Sequence, residues 1–118
     1  MPNMISDETF IRPFKVNGTH VYNSDGSLIA FVEDLVLDET SNEVKFAVLG
    51  LGGILNMGEQ FHPVPWEMLS YDGGRQGYVI QVSKNDLKSA PSLDVNSLDV
   101  YNGEIYRSAY VYYDAIVN

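Results

Sequence analysis

The chain has 118 residues, of which 45% are hydrophobic and 19% are charged, and it contains no cysteine. This length provides one domain with one core, and the composition is too apolar for a disordered chain. Sixteen acidic residues against seven basic ones give a formal charge of -9, which repels nucleic-acid phosphates and anionic lipids, and the lack of cysteine excludes disulfides, thiolate metal sites and thiol catalysis.

The sequence contains no run of 18 apolar residues. Residues 1–8 also lack the basic segment followed by an apolar one that a secretory leader needs. We therefore expect no integral membrane segment and a cytoplasmic location.

The first part of the chain predicts an arm followed by a β-hairpin. Residues 1–15 show no sustained periodicity, whereas Thr19 to Tyr22 is a short β-prone run that ends at the turn sequence Asn-Ser-Asp-Gly. The following run, Leu28 to Asp38, is apolar on both alternating sets of positions. A long strand with a bulge near Glu33 and Asp34 explains this pattern, because a bulge changes which set faces inward.

The middle of the chain predicts a second strand pair and a corner. Val44 to Gly50 is typical of a strand, and the segment from Gly50 to Gly58 mixes glycines with apolar residues. Pro63 and Pro65 favour an edge strand, since proline cannot donate to a ladder. Trp66 to Leu69 then indicates a tight corner or a turn of helix.

After a turn at Asp72 to Gly77, Tyr78 to Val82 predicts another strand, and Ser83 with Asp86 predicts the capped start of a helix over Lys84 to Ala90. Pro91 lies just beyond its end. The tail from Tyr101 to Ile116 predicts an amphipathic helix with a tyrosine-rich face. That face has two interpretations, packing on the chain's own strands or packing on a partner.

Residues that carry chemistry are few and scattered. His20 and His62 lie in different predicted strands, and neither Ser70 nor Ser83 lies in a nucleophile motif. The acidic pairs lack the spacing of a calcium loop, and the glycine-rich segment lacks phosphate-loop spacing. We therefore predict no catalytic residue, no cofactor and no metal site, and a protein that is not an enzyme.

The order of these features resembles that of the PRC-barrel family, which is named for the cytoplasmic domain of the photosynthetic reaction centre H subunit. The likeness runs from Val16 to Leu93 and rests on these segments in order: residues 18–26, 32–35, 46–49, 52–59, 64–66 and 87–91. It divides the chain into an N-terminal arm (1–15), a PRC-barrel domain (16–93) and a C-terminal extension (94–118).

The resemblance implies a mainly β fold, a small, partly open antiparallel barrel of the PRC and SH3-like type, to which a short helix and the C-terminal helix are added. It implies that Ile54, Leu55 and Met57 plug one end of the barrel. The residues to which it gives structural roles are turn, crossing and corner residues: Asp25, Gly26, Gly52, Gly53, Gly58, Pro65, Trp66 and Pro91.

For function, the resemblance implies a non-enzymatic interaction or adaptor module. We expect a protein partner, a homodimer, and a contact at the tyrosines of the tail: Tyr106, Tyr110, Tyr112 and Tyr113. Two alternatives stay open, an accessory of a photosynthetic or electron-transfer membrane complex similar to the H subunit, and a ribosome-assembly module.

Overall fold

A computed structural model of the chain describes Val16 and residues 18–52, 60–94 and 103–117. The strands are β1 (His20–Asn23), β2 (Leu28–Asp38), β3 (Glu43–Gly50), β4 (Gln60–Pro65), β5 (Ser70–Asp72), β6 (Gly77–Ile80) and β7 (Leu93–Asp94). The helices are a 3₁₀ turn at Trp66–Met68, here called the corner helix, then α1 (Lys84–Lys88) and α2 (Gly103–Val117).

The seven strands form one sheet in the order β5-β6-β1-β2-β3-β4-β7. The described residues show no pairing between the two outer strands, β5 and β7, so the barrel is partly open, as expected. One neighbour pair departs from the expected antiparallel pattern, because β6 runs parallel to β1. Strand β2 pairs with one edge of β1, to which it is joined by a hairpin. Strand β6, which forms a hairpin with β5 much later in the chain, pairs with the other edge of β1.

The first hairpin has the predicted turn. Gly26 has φ +92°, which a residue without Cβ adopts at no steric cost. The Oδ1 atom of Asn23 accepts from the backbone N–H of Asp25 and of Ser27, at 3.1 and 3.2 Å. Hydrogen bonds from Ser27 lower the pKa of Asp25, so its carboxylate stays ionised in the turn.

The long strand β2 changes its inward side at a bulge. Ala30 and Val32 are buried before the bulge, whereas Leu35 packs against the core after it. The pairing with β3 skips a position between Val32 and Asp34. The predicted bulge is confirmed, and together with a second irregularity at Ile29, in the pairing with β1, it explains why both alternating sets are apolar.

The corner after β4 also follows the prediction. Strand β4 pairs with β7 at two positions only, Gln60 and Phe61. Along the rest of β4, which includes Pro63 and Pro65, the described residues place no strand on its outer side. The corner helix follows at once, with Leu69 buried and Trp66 half-buried against Tyr78 at a ring separation of 5.3 Å. Gly53 and Gly58, and the plug predicted at residues 54, 55 and 57, lie outside the described residues.

Helix α1 begins with the predicted capping box, since Ser83 Oγ accepts from the N–H of Asp86 at 3.0 Å and the Asp86 carboxylate accepts from the N–H of Ser83. It ends at Lys88, two residues earlier than expected, and Leu87 is fully buried beneath it. The short strand β7 has no counterpart among the predicted strands.

Candidate interaction surface on the C-terminal helix

The inner side of α2 packs on the chain's own barrel. Ala109 and Tyr113 are both 0% exposed and belong to the same core as the strands. The Tyr112 hydroxyl donates to the backbone carbonyl of Asp86 at 2.7 Å, and the Tyr106 ring lies 5.1 Å from the ring of Phe46. The helix is therefore attached to α1 and to β3 by its tyrosines.

The four tyrosines predicted as a contact surface have different surroundings. Tyr113 is buried, Tyr106 and Tyr112 are half-buried, and Tyr110 is 51% exposed. Their role in a contact stays a prediction, but only Tyr110 presents most of its ring to solvent. Three of the four instead contribute to the packing of α2 on the barrel.

The hydroxyl of Tyr113 is a buried polar group without a hydrogen-bond partner among the described residues. Burial, together with the nearby Tyr112 and the Asp86 carboxylate, raises the pKa of Tyr113 well above its usual value. The hydroxyl therefore stays protonated at every physiological pH.

The outer side of α2, opposite the buried Ala109, carries Val111, which is 69% exposed. Tyr110 and Val117 are each 51% exposed and, seven positions apart, share another side of the helix, and Ile116 is 38% exposed. Helical spacing identifies Val111, since it lies two residues from the buried Ala109 and so faces away from the barrel. Ile116 lies seven positions after the buried Ala109, and so on the inner side, where it is partly exposed.

A groove lies between the corner helix and the end of α2. It has a volume of about 320 Å³ and its walls are mostly apolar, formed by Pro65, Met68, Tyr110, Tyr113 and Val117. The carboxylates of Glu67 and Asp114 also line it. The Tyr110 hydroxyl donates to Glu67 Oε1 at 3.4 Å, which connects the two walls.

A second depression of about 320 Å³ adjoins this groove on the side of β3. It shares Pro65, Glu67 and Tyr110 with the first and adds Glu43 and Lys45. Lys45 pairs with Glu43 at 3.1 Å. Its pKa is raised, mainly by Glu43 and further by Asp38 and Glu67, because these carboxylates stabilise the charged ammonium.

The two histidines are far apart and differ in burial. His20 is exposed on β1 and His62 is 3% exposed on β4, with two strands between them, a separation of about 14 Å at ordinary strand spacing. Burial lowers the pKa of His62, although the backbone carbonyls of Pro91 and Ala90 partly oppose this effect. Its Nδ1 atom has no partner among the described residues.

The described residues contain no group of three or more histidine, aspartate or glutamate side chains placed to hold a metal ion. Within the same residues, no helix is both long and apolar enough to cross a bilayer. Ser83 Oγ is engaged in the cap of α1, and Ser70 lies exposed on β5.

A comparison with curated protein sequences gives no match for the chain. The model of the PRC-barrel domain family matches residues 8–87, which is more than half of the chain. The match includes β1 to β6 and the corner helix, and it ends before β7 and α2, so the groove joins a matched corner of the barrel to a helix beyond the matched region. The chain belongs to the PRC-barrel domain family.

Proposed function

We propose that this chain is a non-enzymatic protein-interaction module whose contact surface is the outer side of α2. The observation that carries the proposal is Val111, which is 69% exposed on the outer side of α2 and lines a mostly apolar depression with Pro91 and Tyr112. Single exposed apolar residues are common on any protein, but an exposed apolar side chain within an apolar depression is typical of contact sites.

The placement of the polar residues supports a binding role over a catalytic one. His62 is buried, and His20, with two strands between them, has the Tyr22 hydroxyl 3.2 Å from its Nδ1 atom, so neither histidine is paired with a serine in the hydrogen bonds of the described residues. Ser83 has a structural partner in the Asp86 N–H. Binding through α2 requires none of these groups.

We propose a second copy of the chain as a partner for the outer side of α2. Val111 is flanked by Arg107, one turn earlier, and by Asp114, about one turn later, and all three are exposed. In an antiparallel pair of helices centred near Val111, Arg107 of each copy lies opposite Asp114 of the other. The same surface is therefore complementary to itself, as a two-fold dimer requires.

Light scattering on the full chain over a wide range of concentrations tests this function. We expect the mass to rise from 13.2 kDa towards twice that value, and Val111→Glu to keep the chain monomeric because it places a charge at the centre of the contact. Leu28→Glu is the matched control, since Leu28 is 44% exposed on β2. A monomer at every concentration, or equal effects of the two substitutions, would contradict self-association through α2.

A further inference from the structure

The groove beside the corner helix is a second candidate contact, distinct from the outer side of α2. Its base is rigid, because Pro65 and Tyr113 are buried and belong to the barrel edge and the inner side of the helix. Its accessible walls are the half-buried Met68 and the exposed Tyr110 and Val117. Apolar side chains of a ligand can therefore be covered here without a rearrangement of the core.

The groove extends over a length suited to a peptide segment. The two depressions meet at Glu67 and Tyr110, so that together they run from the end of α2 to the beginning of β3. An extended segment, or a helix of a few turns, fits such a groove and places apolar side chains at regular intervals along the base of the groove.

The polar groups around the groove are mainly acidic. Glu43, Glu67 and Asp114 line the two depressions, and Lys45 is the only basic side chain that lines either of them among the described residues. Lys45 is already paired with Glu43 at 3.1 Å. The groove therefore has excess negative charge, in a molecule whose net charge is also -9.

We propose that this groove binds a cationic, amphipathic segment of another protein. Apolar side chains of the segment contact Met68 and Tyr110, and its lysine or arginine side chains reach Glu67 and Glu43. The acidic residues exclude nucleic acid and anionic lipid as occupants, and they disfavour a second copy, which would bring its own carboxylates to the groove. The inference rests on the proposed interaction function and adds the chemistry of a partner.

Two synthetic peptides of equal length test the proposal with the full chain. Both have leucine at helical spacing, and all other positions are lysine in one and glutamate in the other. We expect the lysine peptide to shift the amide NMR signals of Glu67, Met68 and Tyr110, with an affinity that falls as salt is added. The glutamate peptide should leave these signals unchanged.

Substitution of the acidic residues shows whether the binding is local to the groove. Glu43→Gln combined with Glu67→Gln should weaken the lysine peptide by about fivefold, the loss expected for two exposed charge pairs. Asp94→Asn combined with Glu104→Gln removes the same charge elsewhere on the molecule and should leave the affinity unchanged. Dispersed amide signals in each variant check that the fold is retained.

The proposal is overturned if the lysine peptide does not bind, if both double variants weaken it equally, or if its shifts spread evenly over the surface. It is also overturned if the signals of Glu67 and Met68 on the corner helix move when the chain is concentrated without peptide, because a second copy then occupies the groove. Each of these results leaves the effect of Val111→Glu on self-association unaffected, so failure here is distinguishable from failure of the proposed function.

Discussion

At the scale of single residues, two buried polar groups shape the stability of the molecule. The Tyr113 hydroxyl and the Nδ1 atom of His62 both lie away from solvent without a partner among the described residues. A buried polar group without a hydrogen bond costs about 1–3 kcal/mol of folding free energy. The Tyr113 ring compensates with apolar packing, since it belongs to the hydrophobic core.

Tyr113→Phe removes one of these unpaired groups and keeps the ring. We expect the free energy of unfolding to stay the same or to rise by about 1 kcal/mol, as measured by urea denaturation. Its neighbour is the matched control, because Tyr112→Phe deletes the 2.7 Å hydrogen bond to Asp86 and should cost about 1 kcal/mol. Equal destabilisation by the two substitutions would mean that the Tyr113 hydroxyl has a partner.

His62 makes stability depend on pH. Because burial lowers its pKa in the folded state below the 6.5 of an unperturbed histidine, the unfolded chain binds the proton more tightly. The contribution of neutral His62 is therefore complete above pH 6.5 and is lost as the pH falls from 6.5 towards the folded-state pKa. We expect a slope of up to about 1.4 kcal/mol per pH unit in that window.

Denaturant unfolding between neutral and mildly acidic pH measures this slope. His62→Gln should flatten it, and the exposed His20→Gln should leave it unchanged. A slope that is the same in both variants would assign the pH dependence to other groups.

At the scale of elements, local chemistry made several features predictable. The Asp25-Gly26 turn, the bulge in β2 and the Ser83 cap each depend on a few adjacent residues, and the structure has all three. The pairing of β1 with β6 could not be predicted in this way, because it joins strands that are more than fifty residues apart along the chain.

The role of the tyrosines of α2 also could not be predicted from the sequence alone. Helical spacing correctly predicted an amphipathic helix, but a row of tyrosines is equally typical of a face against the barrel and of a face against a partner. Burial of Tyr113 and the bond from Tyr112 to Asp86 place them on the barrel side. Val111 became visible as a contact candidate only once that orientation was known.

The parallel contact between β1 and β6 depends on glycine at position 77. A Cβ atom there would lie 2.7 Å from the backbone oxygen of His20 and 3.0 Å from the Tyr22 ring. We expect Gly77→Ala to destabilise the chain by about 1–3 kcal/mol, since the backbone of β1 cannot move without breaking its ladder.

Gly73→Ala in the same hairpin is the control for this prediction. A Cβ atom at that position meets no atom closer than 3.9 Å, so its effect should be small. Thermal unfolding of the two variants tests this prediction, because similar melting temperatures would contradict the close approach of β1 and β6.

At the scale of the whole molecule, self-association must overcome the charge of -9 on each copy. The proposed antiparallel pairing of α2 provides local attraction, because Arg107 of each copy faces Asp114 of the other. This attraction is screened by salt, whereas the contact around Val111 is not.

A charge exchange tests the pairing. Arg107→Asp alone and Asp114→Arg alone should each weaken the dimer by bringing like charges together, and the double variant should restore it. Analytical ultracentrifugation of the three variants measures the effect. A double variant that is no tighter than either single one would contradict the antiparallel arrangement.

The central claim is that the outer side of α2 contacts another protein chain, and photo-crosslinking in the native cell tests it most directly. A photoreactive residue is placed at Val111 on α2 and, in a separate variant, at Leu28 on β2. We predict a protein adduct from position 111 and none from position 28, with a mass of twice 13.2 kDa if the partner is a second copy. No adduct from position 111, or equal adducts from both positions, would contradict the claim.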